Sequence, residues 1–378
     1  MSLGRPGMQP QHPPVLRERA GAREKSINGG GTAVRCSFTV QRFVTLARRT
    51  SFVLLSLTAG FAVVVLGKVA RSQADEATDY PSRTVRIIVP SGAGGTTDIV
   101  ARVIAQALNR SLGANFIVEQ KVGGNTNIGS AFVSKAPPDG YTLLVNTDTL
   151  TSNASMYQKP GYDVITGFAP VTMLTKASGA LAVRKSLGIS SLEEFVGLAM
   201  TRGKGLSVAS TGTGTVSHLT SVMFRQRLNL AEWTDVPYQG AAKVVSDLLG
   251  GHVDAAFAMI ASFVSPAESG DLKLLAVTTK ARSPVAPVVP TIAETTQLKD
   301  FDVVNWTAMF APARTPEPIV SKLAATVGGV LKDPEAVGAL SAVGIEPTAE
   351  GPEALAQTIR ANVLQWRDVV RRAGLRPN

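Results

Sequence analysis

Apolar residues in this chain switch repeatedly between two rhythms. From Thr84 onward, short β-branched runs alternate with stretches whose apolar positions recur at helical spacing, the pattern of an α/β sheet with crossover helices. Residues 85–89 predict a first strand. After a glycine-rich turn, Ile99, Val103 and Ala107 lie beside Val100, Ile104 and Leu108; the two ridges predict a helix buried along one stripe. Residues 116–119, 142–145 and 171–174 predict further strands, and 180–183 a crossing into a second unit.

The second unit repeats the alternation. Helices are predicted over 192–200, 216–224 and 241–249, and strands over 206–209, 236–238, 253–257 and 274–277. Past a proline-rich stretch at 284–290 the chain returns through 303–310 to the first unit. Thr315 offers an N-cap and Pro316 a first helical position for a helix carrying Ile319, Leu323, Val327 and Leu331. A last helix from Pro352 carries Leu355, Ile359, Val363, Trp366 and Val370. The expected organisation is two lobes, 80–180 with 304–378 and 181–303, joined by two crossings. Ligands of open α/β sheets sit outside the carboxyl ends of the strands, so the strand-to-helix loops facing the cleft are where chemistry is expected.

Upstream of residue 80 the pattern is different. An almost unbroken apolar run at 51–67 follows Arg48-Arg49 and is followed by Ser72-Gln73-Ala74. A basic region, an apolar core and small residues at the cleavage positions make a signal peptide. Cleavage after Ala74 is expected, with a retained membrane anchor as the alternative. Phe52 stands one place too far from the arginine pair for a twin-arginine signal, so general export is the plainer expectation. Residues 1–45 have no apolar period and read as a misassigned start.

Composition bears on this only through its distribution. The chain is 44% hydrophobic and 17% charged, a globular profile. Its formal net charge is +10, but the leader 1–74 holds 11 Lys and Arg against 2 acidic residues, leaving 27 against 26 in the body, or +1. A nearly neutral body lacks the basic face that displaces counterions from phosphates, which excludes nucleic acid as partner. The single cysteine, Cys36, lies in the leader, so stability must come from the core of roughly two domains.

Four loops carry candidate chemistry. The first runs Pro90-Ser-Gly-Ala-Gly-Gly-Thr-Thr-Asp98 between a strand and a helix start; its candidate contacts are Ser91, Gly92, Ala93, Gly94, Gly95 and Thr97. Free amides and the helix dipole there favour an anion, while a tight turn capped by Asp98 or Thr97 explains the sequence equally well. No phosphate or dinucleotide glycine fingerprint is present. The second loop, Val122 to Gly129, offers Gly124, Asn125, Thr126 and Asn127, and the third, Asn146-Thr-Asp-Thr-Leu-Thr-Ser152, offers Thr147 and Thr149. In the second lobe Ser210-Thr-Gly-Thr-Gly-Thr-Val-Ser-His218 offers Thr211, Thr213 and Ser217, with Thr215 or Ser217 as a helix cap the competing explanation. Catalytic machinery is thin. His218 and His252 are the only imidazoles outside the leader, and no nucleophile elbow or metal-ligand spacing appears. Asp98 and Asp254 have no evident partner for acid–base work, so no enzymatic activity and no cofactor are expected.

These loops resemble the tripartite tricarboxylate transporter substrate-binding family, the Bug-type receptors, from about Tyr80 to Leu375. The resemblance rests on Val89-Pro90 leading to Gly94-Gly95-Thr96-Thr97-Asp98, on Pro138-Asp-Gly-Tyr-Thr-Leu143, Phe168-Ala-Pro-Val171, Gly212-Thr-Gly214 with His218, Val236-Pro-Tyr238, Pro290-Thr291 with Glu294, and Ala311-Pro312 with Thr315-Pro316. It implies a periplasmic binding protein-like class II α/β fold, two lobes around a central ligand cleft. It further implies a monomeric periplasmic receptor that captures a small carboxylate (a di- or tricarboxylate, an amino acid or an aromatic acid) and hands it to a two-subunit membrane carrier. In such receptors one carboxylate is held between the first two loops, here Ser91 to Thr97 and Gly123 to Gly129. Ser91 stands where the family usually has an aromatic residue, and Gly123-Gly124-Asn125-Thr126 where it has Gly-Ala-Gly-Gly, which makes this pocket more polar. A periplasmic hydrolase or transferase, and a sensor that signals instead of feeding transport, are the alternative readings.

Overall fold

Five consecutive residues, Val85–Val89, form β1, and all but Arg86 are buried, as a strand covered on both faces requires. Strand β1 lies parallel to β2 (Phe116–Gln120) and β3 (Thr142–Thr147). The crossover is α1 (Thr96–Leu112), which buries Val100, Ile104 and Leu108 along the predicted stripe. The computed structural model describes residues 79–294, 297–341 and 345–376, all within one compact unit, Gly67–Asn378. The leader, with its expected apolar run at 51–67 and cleavage after Ala74, lies outside the described residues.

The second lobe is joined to the first through a single long strand. Where the sequence predicts two short pieces, β4 is continuous over Phe168–Arg184. Its first part pairs antiparallel with β9 (Val304–Pro312) as far as Ser178. From Gly179 it pairs instead with β7 (Ala255–Met259) and β8 (Leu272–Val277). The first sheet therefore runs β2-β1-β3-β9-β4, with β10 (Glu346–Glu350) also on β4. The second runs β4-β7-β5-β6, where β5 is Ser207–Ser210 and β6 is Thr234–Pro237. Changing neighbours at Ser178 and Gly179 lets one strand belong to both sheets, so the chain crosses between lobes without leaving its hydrogen-bond ladder.

Each sheet is covered on both faces. On the first, α1 packs with α8 (Glu317–Val330) and α9 (Pro334–Ser341) through Ile104, Leu323 and Leu340, while Ile88, Leu144 and Phe310 face the other way. On the second, α4 (Leu192–Arg202) and α5 (Val216–Arg227) bury Phe195 and Phe224 on one side, with Val244 and Leu248 of α6 (Ala241–Leu249) and Ala267 of the short α7 (Val264–Glu268) on the other. The last helix, α10 (Pro352–Arg372), serves both lobes: Leu355 and Ile359 join a first-lobe cluster, and Trp366, Val369 and Val370 join the aromatic core of the second. Two α/β lobes flank a central cleft, as expected. One local expectation fails. The residue capping α8 is Pro316, with no side-chain cap, and the Thr315 hydroxyl instead donates back to the Pro312 carbonyl at 2.7 Å. An extended Pro316 sets the entry into the helix without a hydroxyl cap.

Candidate functional site

Between the lobes lies a pocket of about 210 Å³, below the ~300 Å³ at which sites for drug-sized ligands begin, hence a site for a small solute. The first lobe supplies Thr96 at the start of α1, Thr147, Asp148 and Thr149 between β3 and α3 (Thr149–Met156), and Thr175 of β4. Asn305, Trp306 and Thr307 come from β9, and the second lobe contributes Thr211, Thr215 and Ser217 before and within the first turn of α5, Ala241 at the start of α6, Met259 at the end of β7 and Ser262 just after it. Four helices thus begin at the pocket wall, and the positive ends of their dipoles favour an anion there. Among the lining residues only Asp148 is ionisable.

Of the residues singled out in the sequence, Thr147, Thr149, Thr211 and Ser217 meet at this pocket. Ser91, Gly92, Ala93, Gly94, Gly95, Thr97, Gly124, Asn125, Thr126, Asn127 and Thr213 lie outside its lining. In the first loop, Gly92 to Thr96 are exposed whereas Thr97 is buried, so the threonine on the wall is Thr96. Neither Thr97 nor Asp98 caps α1; the cap is Gly95, without a side-chain bond. Asp98 instead gathers the loop: its Oδ2 accepts from the Gly94 amide and from Arg102 Nε, both at 2.9 Å, and its Oδ1 from Gln120 at 2.6 Å. Burial pushes that carboxyl upward, but these hydrogen bonds and the Arg102 charge outweigh it and hold it below the usual range. The Gly94 amide is thereby occupied by the protein itself. The Ser91 hydroxyl is buried with no partner among the described residues.

The second loop is knitted inward. Asn153 of α3 donates to the Asn125 carbonyl at 2.6 Å and to Asn127 Oδ1 at 2.9 Å, and Asn125 donates to Asn153 Oδ1 at 2.9 Å. Tyr162 donates to Asn127 Oδ1 at 2.7 Å, and Asn146 reaches the hydroxyls of Thr126 and of Ser130 in α2 (Asn127–Ser134). Gly129 permits the close approach, since a Cβ there would sit 2.8 Å from the Lys121 carbonyl and 2.9 Å from Pro90. The side chains of Asn125, Thr126 and Asn127 thus brace the loop against α3.

The third loop holds the residue that sequence reasoning missed. Asp148 is only 5% exposed. Its Oδ2 accepts from Asn305 Nδ2 at 2.7 Å and its backbone amide donates to the Trp306 carbonyl at 3.1 Å. Burial, opposed by the Asn305 and backbone hydrogen bonds, pushes its pKa up to about 7. The signal was present in the sequence as a lone carboxylate among hydroxyls, but Asn305 is placed beside it only by the long-range pairing of β3 with β9.

In the second lobe the hydroxyls form a cluster. Thr215 caps α5 by accepting from the His218 amide and donates to the Gly212 carbonyl at 2.7 Å. Ser217 Oγ accepts from the Thr211 amide at 3.0 Å and lies 2.8 Å from the Thr211 hydroxyl. His218 is buried, accepts the Gly214 amide on Nδ1 at 3.2 Å, and is held below its ordinary pKa, chiefly by burial. It is a neutral structural imidazole. Asp254 is tied to Arg184 and Ser207. Among the described residues no cluster of three or more His, Cys, Asp or Glu could hold a metal ion, and no helix is long and apolar enough to cross a membrane.

Residues 100–375 match the family model described as the tripartite tricarboxylate transporter family receptor. The chain belongs to this family. Solved structures agree on sequence and fold together. The periplasmic binding protein BugD is 33% identical, with a TM-score of 0.67 over 79% of this chain and 100% of BugD. An R. palustris protein solved with adipate is 32% identical, with a TM-score of 0.70 over 79% of this chain and 100% of its own. MatC from Rhodopseudomonas palustris, solved with bound malate, is 33% identical, with a TM-score of 0.67 over 77% of this chain and 100% of MatC. The fold is therefore that of Bug-type solute-binding receptors.

Proposed function

We propose that this receptor works outside the cytoplasmic membrane, captures a small carboxylate between its lobes and delivers it to the two-subunit membrane carrier of a tripartite transporter, as a monomer and without catalysis. The observation that carries this reading is the interlobe pocket, walled by hydroxyls and helix N-termini and lined by no Lys or Arg. Neutral, preorganised donors can hold an anion without the desolvation cost of a buried cation. The adipate and malate found in similar proteins support the ligand class. The lobes, 80–180 with 304–378 and 181–303, close on the solute about the β4 crossing, and the leader is removed after Ala74 to release the protein into the periplasm. The carboxylates weighed as catalytic candidates, Asp98 and Asp254, are each occupied by an arginine, which favours a receptor over a hydrolase.

The test is to recover the exported protein, identify the co-purified acid by mass spectrometry and titrate it back. A one-to-one complex that leaves the acid unchanged and raises stability by ~2.7 kcal/mol at a hundredfold excess over Kd is expected. Turnover of the acid, or no stabilisation by any acid, refutes the reading.

A further inference from the structure

Asp148 is out of place in a pocket built to receive anions. The helix starts at Thr96, Val216 and Ala241 and the hydroxyls of Thr211 and Ser217 all favour negative charge. Asp148 presents a carboxylate to the same small space, and it is the only ionisable side chain on the wall. Its charge is not used elsewhere. It makes no side-chain capping bond to α3, no Lys or Arg pairs with it among the described residues, and the hydrogen bonds that offset its burial come from neutral groups: the Asn305 amide, the backbone at Thr149 and Trp306, and the Thr147 hydroxyl. None of these neutral groups supplies a counter-charge for the acid.

The solute's charge decides whether this arrangement helps or hinders. A dicarboxylate closed into the pocket would bring a second negative group toward a desolvated carboxylate, which is unfavourable unless one of the two is protonated. An ammonium supplies the missing counter-charge and at the same time satisfies the acceptor oxygens.

We infer, building on the carboxylate-receptor reading above, that Asp148 selects a solute carrying a cationic nitrogen as well as a carboxylate, an amino acid or related amino-carboxylate, over a dicarboxylic acid. The carboxylate of such a solute lies toward the hydroxyls and helix starts, and its nitrogen toward Asp148 and Asn305.

The test is calorimetric titration of the exported protein and of Asp148→Asn with matched probes at one neutral pH. 6-Aminohexanoate is compared with adipate, and 4-aminobutyrate with succinate. In the unaltered protein at least one amino-carboxylate should bind tenfold or more tightly than its dicarboxylate partner, and Asp148→Asn should shrink that ratio at least tenfold. A dicarboxylate bound more tightly by the unaltered protein, or a ratio unmoved by Asp148→Asn, overturns the inference and leaves the carboxylate receptor standing. The first of these comparisons holds even where the variant does not fold. If none of these acids and no co-purified acid binds, the receptor reading and the inference fail together.

Discussion

Asp148 is held near neutrality by burial, with a pKa of about 7 against ~3.9 in an unfolded chain. The folded state therefore keeps this proton more tightly than the unfolded state. Stability contributed by the group is fully present below about pH 4 and is lost as pH rises through about 7. In Asp148→Asn that loss disappears. Without ligand the variant should match the parent near pH 4 and exceed it at pH 8 by on the order of 2–4 kcal/mol, measured by denaturant unfolding at both pH values. A difference independent of pH would refute the buried-acid account. Gly94 poses a backbone question at the same scale. Its φ of +77° is one that a side chain resists, so Gly94→Ala should cost about 1–2 kcal/mol of stability. Gly92 has open space around it and no positive φ, so Gly92→Ala should stay within about 0.5 kcal/mol. Equal melting temperatures for the two variants would mean that the loop is not held in this shape.

Among the elements, those legible in the sequence were the ones whose period is set by local burial. The stripe of α1, the run of β1 and the apolar positions of α10 were readable because each buries one pattern against one sheet. The continuity of β4 was not, because Lys176, Ala177 and Ser178 read as a break; they remain in the strand because β9 pairs with them. β10 was invisible for a related reason: Glu346–Glu350 has no strand-like alternation and is a strand only by lying against β4. At the site, the glycines of the loops stood out, yet the polar loop residues that line the pocket are mostly threonines, with Ser217 and Asp148. Thr215 and Thr149 separate structure from contact. The Thr215 hydroxyl caps α5 and binds Gly212, whereas the Thr149 hydroxyl has no hydrogen-bond partner among the described residues. Thr215→Val should therefore lower stability without ligand by about 0.5–2 kcal/mol. Thr149→Val should leave that stability unchanged and weaken solute binding by about 0.5–1.5 kcal/mol if the hydroxyl reaches the solute. Thermal melts and titrations on both variants decide; a Thr149→Val protein that binds as well as the parent removes Thr149 from the contact surface.

At the scale of the whole molecule both crossings between the lobes run side by side in a narrow strip. The Gly179 amide donates to Thr278 Oγ1 at 3.0 Å, and that hydroxyl donates to the Val303 carbonyl at 2.7 Å. Beside it, Ser178 and Thr279 share a hydroxyl–hydroxyl bond of 2.7 Å. There is no room to spare, since a Cβ on Gly179 would lie 2.9 Å from the same Thr278 oxygen and 3.2 Å from Asn305 Oδ1. Asn305 also holds Asp148, so the strip joining the lobes and the wall of the pocket share a residue. The proposed closure on a solute would bend the chain at these crossings, and Thr278 Oγ1 fixes their spacing by bonding to both. Thr278→Val keeps the shape but removes one donor and one acceptor from a site only 2% exposed, leaving the Gly179 amide unpaired. Its expected cost is about 1–3 kcal/mol in stability. If the strip also sets the angle between the lobes, small-angle scattering should show the unliganded variant less compact than the parent, with the difference narrowing when a bound solute bridges the walls. A variant that is destabilised yet scatters identically would confine Thr278 to packing and place the flexing elsewhere.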